Sequence, residues 1–196
     1  MSSFYLDIIK DRLYTEKADS VARRAAQTTM YYILDALVKI LTPMISFTAE
    51  EIWSAMNHTE KENVESPMLA DYPVSNDEWD NKEIAEKWDK IIKVKNIVAK
   101  DLELARAEKT IGNSLDAKVT IYAEGEEYKF LKENEELIKL VLIVSGLEIQ
   151  ENNRKQEEKL GVKVEHATGE KCERCWMYND HLEDGLCPRC KEVLEK

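Results

Sequence analysis

The chain has 196 residues and a formal net charge of −11. The length suits one or two domains with a hydrophobic core. The acidic excess argues against bulk binding to a polyanion, because such binding needs many lysine and arginine contacts with phosphate. Charges interrupt the apolar runs well before the roughly 20 residues that cross a bilayer. No secretory signal is visible, so we expect a cytoplasmic chain that does not enter a membrane.

Apolar residues recur at helical spacing through the first half of the chain. Residues 4–14 are predicted as one helix and residues 18–57 as a longer one, capped at its start by Asp19 or Ser20. Pro43 should end or kink the longer helix.

The sequence from Thr48 to Glu51 has the form of a capping box, which predicts a further helix start at Thr48. Residues 58–80 are polar and lack periodicity, so we predict a surface loop. Helical spacing returns over residues 82–109. These elements predict an antiparallel helical bundle over residues 1–111.

The pattern changes after residue 111. The segment 117–122 alternates with β-branched residues and predicts a strand. One or two helices are predicted over 126–144, and short strands at 147–149 and 162–164. Residues 112–168 should therefore form a small α+β junction domain, so the predicted fold is mainly α.

All four cysteines of the chain fall in the last segment, residues 169–196, as two Cys-X-X-Cys pairs: Cys172 with Cys175, and Cys187 with Cys190. Two such pairs supply four thiolates in tetrahedral arrangement around one ion, with no open position for a substrate. We predict one structural zinc ion in a zinc finger.

Two other interpretations of the cysteines are possible. They could form disulfides, which cytosolic chains rarely keep, or a redox pair, which usually occurs once in a βαβ context. His181 lies between the two pairs and is a possible substitute ligand.

Three residues beside the cysteines are candidate nucleic-acid contacts. Trp176 could stack on an unpaired base, and Arg174 and Arg189 could bind phosphates or base edges. Alternatively, Trp176 packs inside the zinc finger as its only sizeable apolar group, and the arginines balance nearby acidic side chains.

A second basic patch runs along the helix predicted over residues 82–109. Of its members, Arg106 and Lys109 are predicted to contact nucleic-acid phosphates. The alternative is a solvated helix face with ion pairs to Glu83, Glu86 and Asp89. The patch comprises Lys87, Lys90, Lys93, Lys95, Lys100, Arg106 and Lys109.

Motifs for catalysis are missing from the sequence. There are only three histidines, no Ser-His-Asp order and no glycine-rich phosphate loop. We therefore predict no catalytic residue in this chain.

Three stretches, taken in order, resemble the C-terminal third of bacterial-type isoleucyl-tRNA synthetase, a class I enzyme. The first comprises residues 4–14 and 41–53, and is shared with the valyl, leucyl and methionyl enzymes. The second is 105–117. The third is the zinc finger, with Cys-Glu-Arg-Cys-Trp and Cys-Pro-Arg-Cys.

The resemblance implies an anticodon-binding helical bundle, a junction domain and a terminal zinc finger. It also implies a parent enzyme that joins isoleucine to its tRNA with ATP and Mg²⁺. The family's catalytic signatures, His-Ile-Gly-His and Lys-Met-Ser-Lys-Ser, are absent here. We therefore expect this chain to be an excised, monomeric part of that enzyme that binds tRNA through the candidate nucleic-acid contacts described above. It should be inactive alone. Its partners would be the isoleucine tRNA and the rest of the synthetase chain.

Two other classes fit part of the sequence. A formamidopyrimidine-type DNA glycosylase has a similar four-cysteine finger but needs an N-terminal Pro-Glu, whereas this chain begins Met1-Ser2. A noncatalytic zinc adaptor would bind a protein partner and have no affinity for tRNA.

Overall fold

The structure is a computed structural model that describes residues 2–59, 64–152 and 160–195. The helices are α1 (Lys10–Thr15), α2 (Val21–Leu41), α3 (Ser46–Ala55), α4 (Lys82–Ala107), α5 (Gly125–Glu133), α6 (Glu135–Leu142) and α7 (Pro188–Leu194). The strands are β1 (Ala117–Ala123), β2 (Gly146–Glu151), β3 (Gly161–His166), β4 (Glu170–Lys171) and β5 (Tyr178–Asn179). The predicted fold class, mainly α with a small α+β part and a four-cysteine segment, is confirmed.

The helix predicted over residues 4–14 has two parts. Ser2–Leu6 is a π-helical turn, and α1 follows three residues later. Ile8 and Ile9 are buried between them, which anchors this segment in the hydrophobic core.

The second predicted helix is divided at Pro43, as expected, into α2 and α3. Ser20 is the N-cap of α2, and its side chain accepts a hydrogen bond from the Arg23 backbone N–H. The predicted helix start at Thr48 is wrong, because α3 begins at Ser46 without a side-chain cap. The backbone is still helical at Thr42, and the turn is short enough for Ser46 Oγ to donate to the Thr42 carbonyl at 3.0 Å.

The predicted loop at 58–80 is irregular apart from two 3₁₀ turns, Pro67–Leu69 and Asp77–Trp79; residues 60–63 lie outside the described part of the chain. Trp53 anchors the nearby core, because its ring is buried and its indole N–H donates to the Val64 carbonyl at 3.0 Å.

The second half forms a three-stranded sheet in the order β2-β1-β3. The central strand β1 runs parallel to β2 and antiparallel to β3. The connection from β1 to β2 passes through α5 and α6, and a parallel pair requires such a crossover. The strand predictions and the two-helix alternative for residues 126–144 are confirmed.

One continuous core joins α4 to this sheet. Ile91, Val94, Val98 and Leu102 recur at helical spacing on α4 and are buried in the same cluster as Ile121 of β1. The long helix therefore uses its apolar face to cover the sheet.

By internal contacts, the described chain forms two compact units, Met1–Thr15 with Lys82–Lys196, and Glu16–Asn81. The predicted division at 111 and 168 groups α4 with α2 and α3, whereas the core places α4 with the sheet. Periodicity identified the long helices α2 and α4 but not the surface against which each one packs. In the described residues, none of the helices has the length and apolar character that crossing a membrane requires.

Candidate metal centre and RNA-contacting surface

The four cysteine sulfurs meet at one buried point. All the Sγ atoms lie within 4.8 Å of one another, and the cysteines are free rather than paired in disulfides. The Sγ atoms of Cys175 and Cys187 are 3.8 Å apart. A tetrahedral ion with metal–sulfur bonds of about 2.3 Å separates its sulfurs by about 3.8 Å. The sulfurs can therefore hold a metal ion with little rearrangement.

Residues 170–195, which we term the cysteine lobe, position these sulfurs through two short backbone structures. The hairpin of β4 and β5 encloses the first pair, and the Cys172 N–H donates to the Met177 carbonyl at 3.0 Å. The second pair is at the start of α7, where Cys187 is the N-cap and Pro188 follows it. Proline favours this first helical position because its fixed φ suits the helix and its missing N–H is not needed.

A tight turn connects the two pairs. Glu183 and Leu186 exchange both backbone hydrogen bonds at 3.0 Å, while Asp184 and Gly185 between them have φ values of 52° and 77°. Two consecutive positive φ values define a type I′ hairpin turn, for which Asp-Gly is a preferred sequence. This turn brings Cys187 back towards Cys172.

Burial raises the pKa of the cysteine thiols, whereas backbone hydrogen bonds lower it. Burial raises the pKa of Cys172, but backbone N–H groups, including that of Cys187 with N···Sγ 3.3 Å, outweigh it and lower this pKa to about 6. Burial and the neighbouring sulfurs raise the pKa of Cys175 to about 12. A central cation would relieve the repulsion between four thiolates.

His181 is exposed and does not belong to this cluster. Within the described residues, no other three histidine, cysteine or acidic side chains come together as possible ligands. The four cysteines therefore form a closed set, and the arrangement suits structural binding rather than metal-based catalysis.

Trp176 follows directly after the second cysteine and is 61% exposed. Its φ of 64° lies in the left-handed region, which is uncommon for a bulky residue. The Lys171 Nζ lies 6.0 Å from the Trp176 ring centroid. The packing alternative requires a buried ring, whereas this residue is mostly exposed to solvent.

An apolar cavity of about 390 Å³ adjoins this ring. Tyr14, which is 74% exposed, contributes a second aromatic side chain to its lining, together with Leu115, Ile143 and Met177. Sequence reasoning missed Tyr14 because it lies 162 positions from Trp176, and no motif connects the two.

The two predicted arginines of the lobe already have protein partners. Arg174 Nη1 donates to the Thr15 carbonyl at 2.7 Å. Arg189 makes two hydrogen bonds to the Asp11 carboxylate, at 2.5 and 2.8 Å. Burial raises the pKa of Asp11, but the Arg189 hydrogen bonds and charge outweigh this effect and leave the pKa below its usual value. The predicted contacts of Arg174 and Arg189 with tRNA stay predictions.

The remaining predicted contacts lie at the end of α4. Arg106 pairs with Glu103 and donates to Ser114 Oγ at 2.6 Å, whereas Lys109 is exposed just beyond the helix with a φ of 61°. The structure therefore holds Arg106 partly in place and leaves Lys109 accessible.

Two lysines of the basic patch cover aromatic rings of the same unit: Lys90 Nζ is 5.3 Å from the Phe130 ring centroid, and Lys95 Nζ is 5.1 Å from that of Phe4. Lys87, Lys93 and Lys100 are exposed. The described ion pairs include none between the patch lysines and the three acidic residues expected to pair with them. The patch is therefore only partly free to contact a ligand.

Comparison with known proteins connects this geometry to a family. The sequence pattern of the family described as "Anticodon-binding domain of tRNA ligase" matches residues 1–121. The isoleucine–tRNA ligase of Caldanaerobacter subterraneus subsp. tengcongensis is 46% identical over 209 aligned residues, and that of Caldicellulosiruptor saccharolyticus is 49% identical over 201. Both alignments cover 100% of this chain, but only 22% and 21% of the respective relatives.

Proposed function

Because the chain belongs to the anticodon-binding domain family of tRNA ligases, we propose that it is the tRNA-binding, anticodon-recognising C-terminal region of an isoleucine–tRNA ligase. The single observation that carries this proposal is the identity of 46–49% to such ligases along the full chain. The whole enzyme would join isoleucine to its tRNA with ATP and Mg²⁺, and the chemistry would reside outside these residues.

The metal of the cysteine lobe is zinc in this proposal. Four thiolates whose sulfurs lie within 4.8 Å of one another suit Zn²⁺, which prefers a tetrahedral set of soft ligands. Because no ligand position is left for water or substrate, the ion would hold the lobe together and take no part in a reaction. The site would suit a cytoplasmic protein, where thiols stay reduced.

RNA recognition would centre on Trp176. Anticodon bases are unpaired, and an exposed aromatic ring on a rigid support can stack on one of them without a large loss of conformational entropy. The adjoining apolar cavity would take the edge of the stacked base. Lys109 and Arg106 would contact phosphates, and Arg174 and Arg189 would contact the RNA beside Trp176.

The functional division in this proposal is an anticodon-binding part at residues 1–111, a junction at 112–168 and the zinc finger at 169–196. The chain would act as a monomer within the cytoplasmic synthetase, with the rest of that enzyme and the isoleucine tRNA as its partners.

A titration with two tRNA transcripts tests the proposal. One carries the isoleucine anticodon, and the other differs only at one anticodon base. We expect the matched tRNA to bind roughly 5 to 150 times more tightly, since one specific base contact is worth about 1–3 kcal/mol. Equal affinities, or no binding to either tRNA, would contradict anticodon recognition.

Two further measurements distinguish the alternative classes of protein, a DNA-binding protein and a zinc adaptor. A duplex DNA competitor that displaces the tRNA would favour a DNA-binding protein, and a protein partner together with no tRNA affinity would favour a zinc adaptor. We also expect no isoleucine-dependent ATP–pyrophosphate exchange by this chain alone. Exchange above background, in a preparation free of host synthetase, would show that it holds catalytic residues.

A further inference from the structure

The cysteine lobe contacts the end of α1 through two arginines, and these contacts connect residues far apart in the sequence. Arg174 lies between the first two cysteines, 159 positions from its acceptor Thr15. Arg189 lies between the second two, 178 positions from Asp11. Each cysteine pair therefore encloses one arginine, and both arginines contact the same six-residue helix, α1.

Helix α1 needs such contacts. The last carbonyls of any α-helix have no partner within the helix, and six residues are too few for stability in isolation. The Arg174 guanidinium supplies donors at this end, with Nη1 2.7 Å from the Thr15 oxygen and Nη2 3.5 Å from the Tyr14 oxygen. A cation at a helix C-terminus also interacts favourably with the helix dipole.

The same guanidinium reaches the metal site. Arg174 Nη1 lies 3.6 Å from the Cys190 Sγ, within reach of a hydrogen bond to sulfur. One nitrogen therefore faces both a ligand sulfur and the Thr15 carbonyl. Arg174 is half-buried and Thr15 is buried, so water competes poorly for these contacts.

Arg189 adds a second connection between the lobe and α1, at Asp11. Its two nitrogens bind both oxygens of Asp11, a bidentate geometry that fixes orientation as well as distance. Asp11 in turn accepts a hydrogen bond from Thr15 Oγ1 at 2.9 Å. Asp11 and Thr15, one turn apart on α1, are thus both held by the lobe.

We propose that Arg174 is a positioning residue that couples metal binding in the cysteine lobe to the order of α1, with the Arg189–Asp11 ion pair as a second attachment. The coupling rests on the metal site proposed above. It gives Arg174 and Arg189 a role in attaching the lobe to α1, besides the RNA recognition proposed above, and it fixes Trp176 relative to Tyr14 across the shared cavity.

Hydrogen exchange tests the coupling without RNA. In the wild-type chain, removal of the metal with a chelator should speed exchange of the amides of residues 13–15 by roughly tenfold, the effect of losing one hydrogen bond from a charged donor. Arg174→Gln should show the fast exchange already in the metal-loaded protein. Arg24→Gln, which removes an exposed guanidinium from α2, is the matched control and should behave as wild type.

Arg174→Lys and the cobalt-substituted protein extend the test. The lysine variant keeps the charge but cannot face both acceptors, so it should also exchange quickly. Loss of the Arg174 hydrogen bond to the Cys190 sulfur should shift the sulfur-to-cobalt charge-transfer band, which a purely structural role would leave unchanged. Slow exchange in Arg174→Lys together with an unshifted band would overturn the proposal.

A double-mutant cycle on Asp11→Ala and Arg189→Ala keeps the test independent of metal retention. Residues 13–15 should exchange faster in each single variant, and the double variant should show less than the product of the two effects. Strictly multiplicative effects would refute the second attachment. A wild-type chain that binds no metal would instead refute the zinc site, while the Asp11–Arg189 cycle could still succeed.

Discussion

The cysteine lobe and the β-sheet are stabilised in opposite ways. The sheet buries a large apolar cluster, in which Val119 and Ile121 of β1 are completely inaccessible to solvent. The buried cluster of the lobe is its four cysteines, with Met177, Leu182 and Leu186 only partly buried around them. The sheet therefore depends on apolar burial, whereas the lobe would depend on the metal ion proposed above.

This difference explains where the candidate RNA contact lies. An apolar core draws large side chains inward, and in this chain Trp53 is buried in such a core. A metal-held lobe needs no large apolar side chain, so Trp176 can remain exposed beside a rigid cysteine pair. In the proposed site, a metal ion would take the place of an apolar core, and the Trp176 ring would stay exposed.

Metal removal should give the largest difference between the two regions. Cys187→Ser, or treatment of the wild type with a chelator, should speed hydrogen exchange throughout residues 170–195, because metal binding and local folding are one equilibrium. The amides of β1 should stay protected. Elemental analysis should find about one zinc per wild-type chain and less than half an equivalent in the variant. Faster hydrogen exchange in β1 as well would contradict the claim that the lobe and the sheet are stabilised in different ways.

A cavity in the sheet core should produce the reverse result. Ile121→Ala should lower the free energy of unfolding of the sheet by about 2–5 kcal/mol, since the site is fully buried. The lobe should keep its zinc until the sheet unfolds. Thermal unfolding monitored by circular dichroism, with zinc release followed in parallel, is the measurement. Leu104→Ala on the exposed face of α4 should change stability by less than about 0.5 kcal/mol.

The Asp116 carboxylate, directly before β1, should make a smaller contribution to folding stability that depends on pH. Burial raises the pKa of its carboxyl, but N–H donors from Asn113 and Gly112 and the Lys171 charge outweigh burial and hold the pKa below its usual value. A lowered folded-state pKa stabilises the protein above about pH 4, and this contribution is lost as the pH falls through the folded-state pKa.

The variant Asp116→Asn should therefore cost about 1–2 kcal/mol at pH 7, and its difference from wild type should shrink at pH 3. Urea denaturation of both proteins at each pH measures the difference. A difference that is constant between pH 7 and pH 3 would show that the carboxylate charge has no part in the effect.

Two matched glycines should show the smallest effects, each in its own region. Gly185→Ala places a methyl group at a φ of 77°, with its Cβ 2.9 Å from Glu173 Cδ, and should weaken zinc affinity roughly fivefold, the equivalent of about 1 kcal/mol. Gly125→Ala has a similar φ of 58° but meets no atom within 4 Å. It should lower sheet stability and leave zinc affinity unchanged in a chelator competition assay.

The sequence allowed good prediction of elements with a strong local signal. The spacing of Ile91, Val98 and Leu102 identified α4, and the two Cys-X-X-Cys pairs indicated that four sulfurs would cluster. Two local details were missed. The helix start at Thr48 was wrong because the turn after Pro43 is shorter than the capping pattern suggested, and the short helix α7 was not predicted because seven residues give little periodicity.

Long-range contacts left no signal in the sequence. The attachment of Arg174 to Thr15 depends on how the cysteine lobe meets α1, and a local pattern around Arg174 only indicates a surface cation. The assignment of α4 to the sheet was missed for the same reason, because its apolar face fits a helical bundle as well as a sheet.

The most direct test of the central claim measures tRNA affinity and zinc content on the same variant, Trp176→Ala, in the full-length enzyme. We expect zinc to be retained, isoleucine activation to be unchanged and tRNA affinity to fall by a factor of about 5 to 150, since one stacked base is worth about 1–3 kcal/mol. Trp176→Phe should recover most of the affinity, and Leu194→Ala, at an exposed apolar position of the lobe, should have no effect. Retained zinc with unchanged tRNA affinity would contradict the stacking role, and lost zinc would show that Trp176 stabilises the lobe instead.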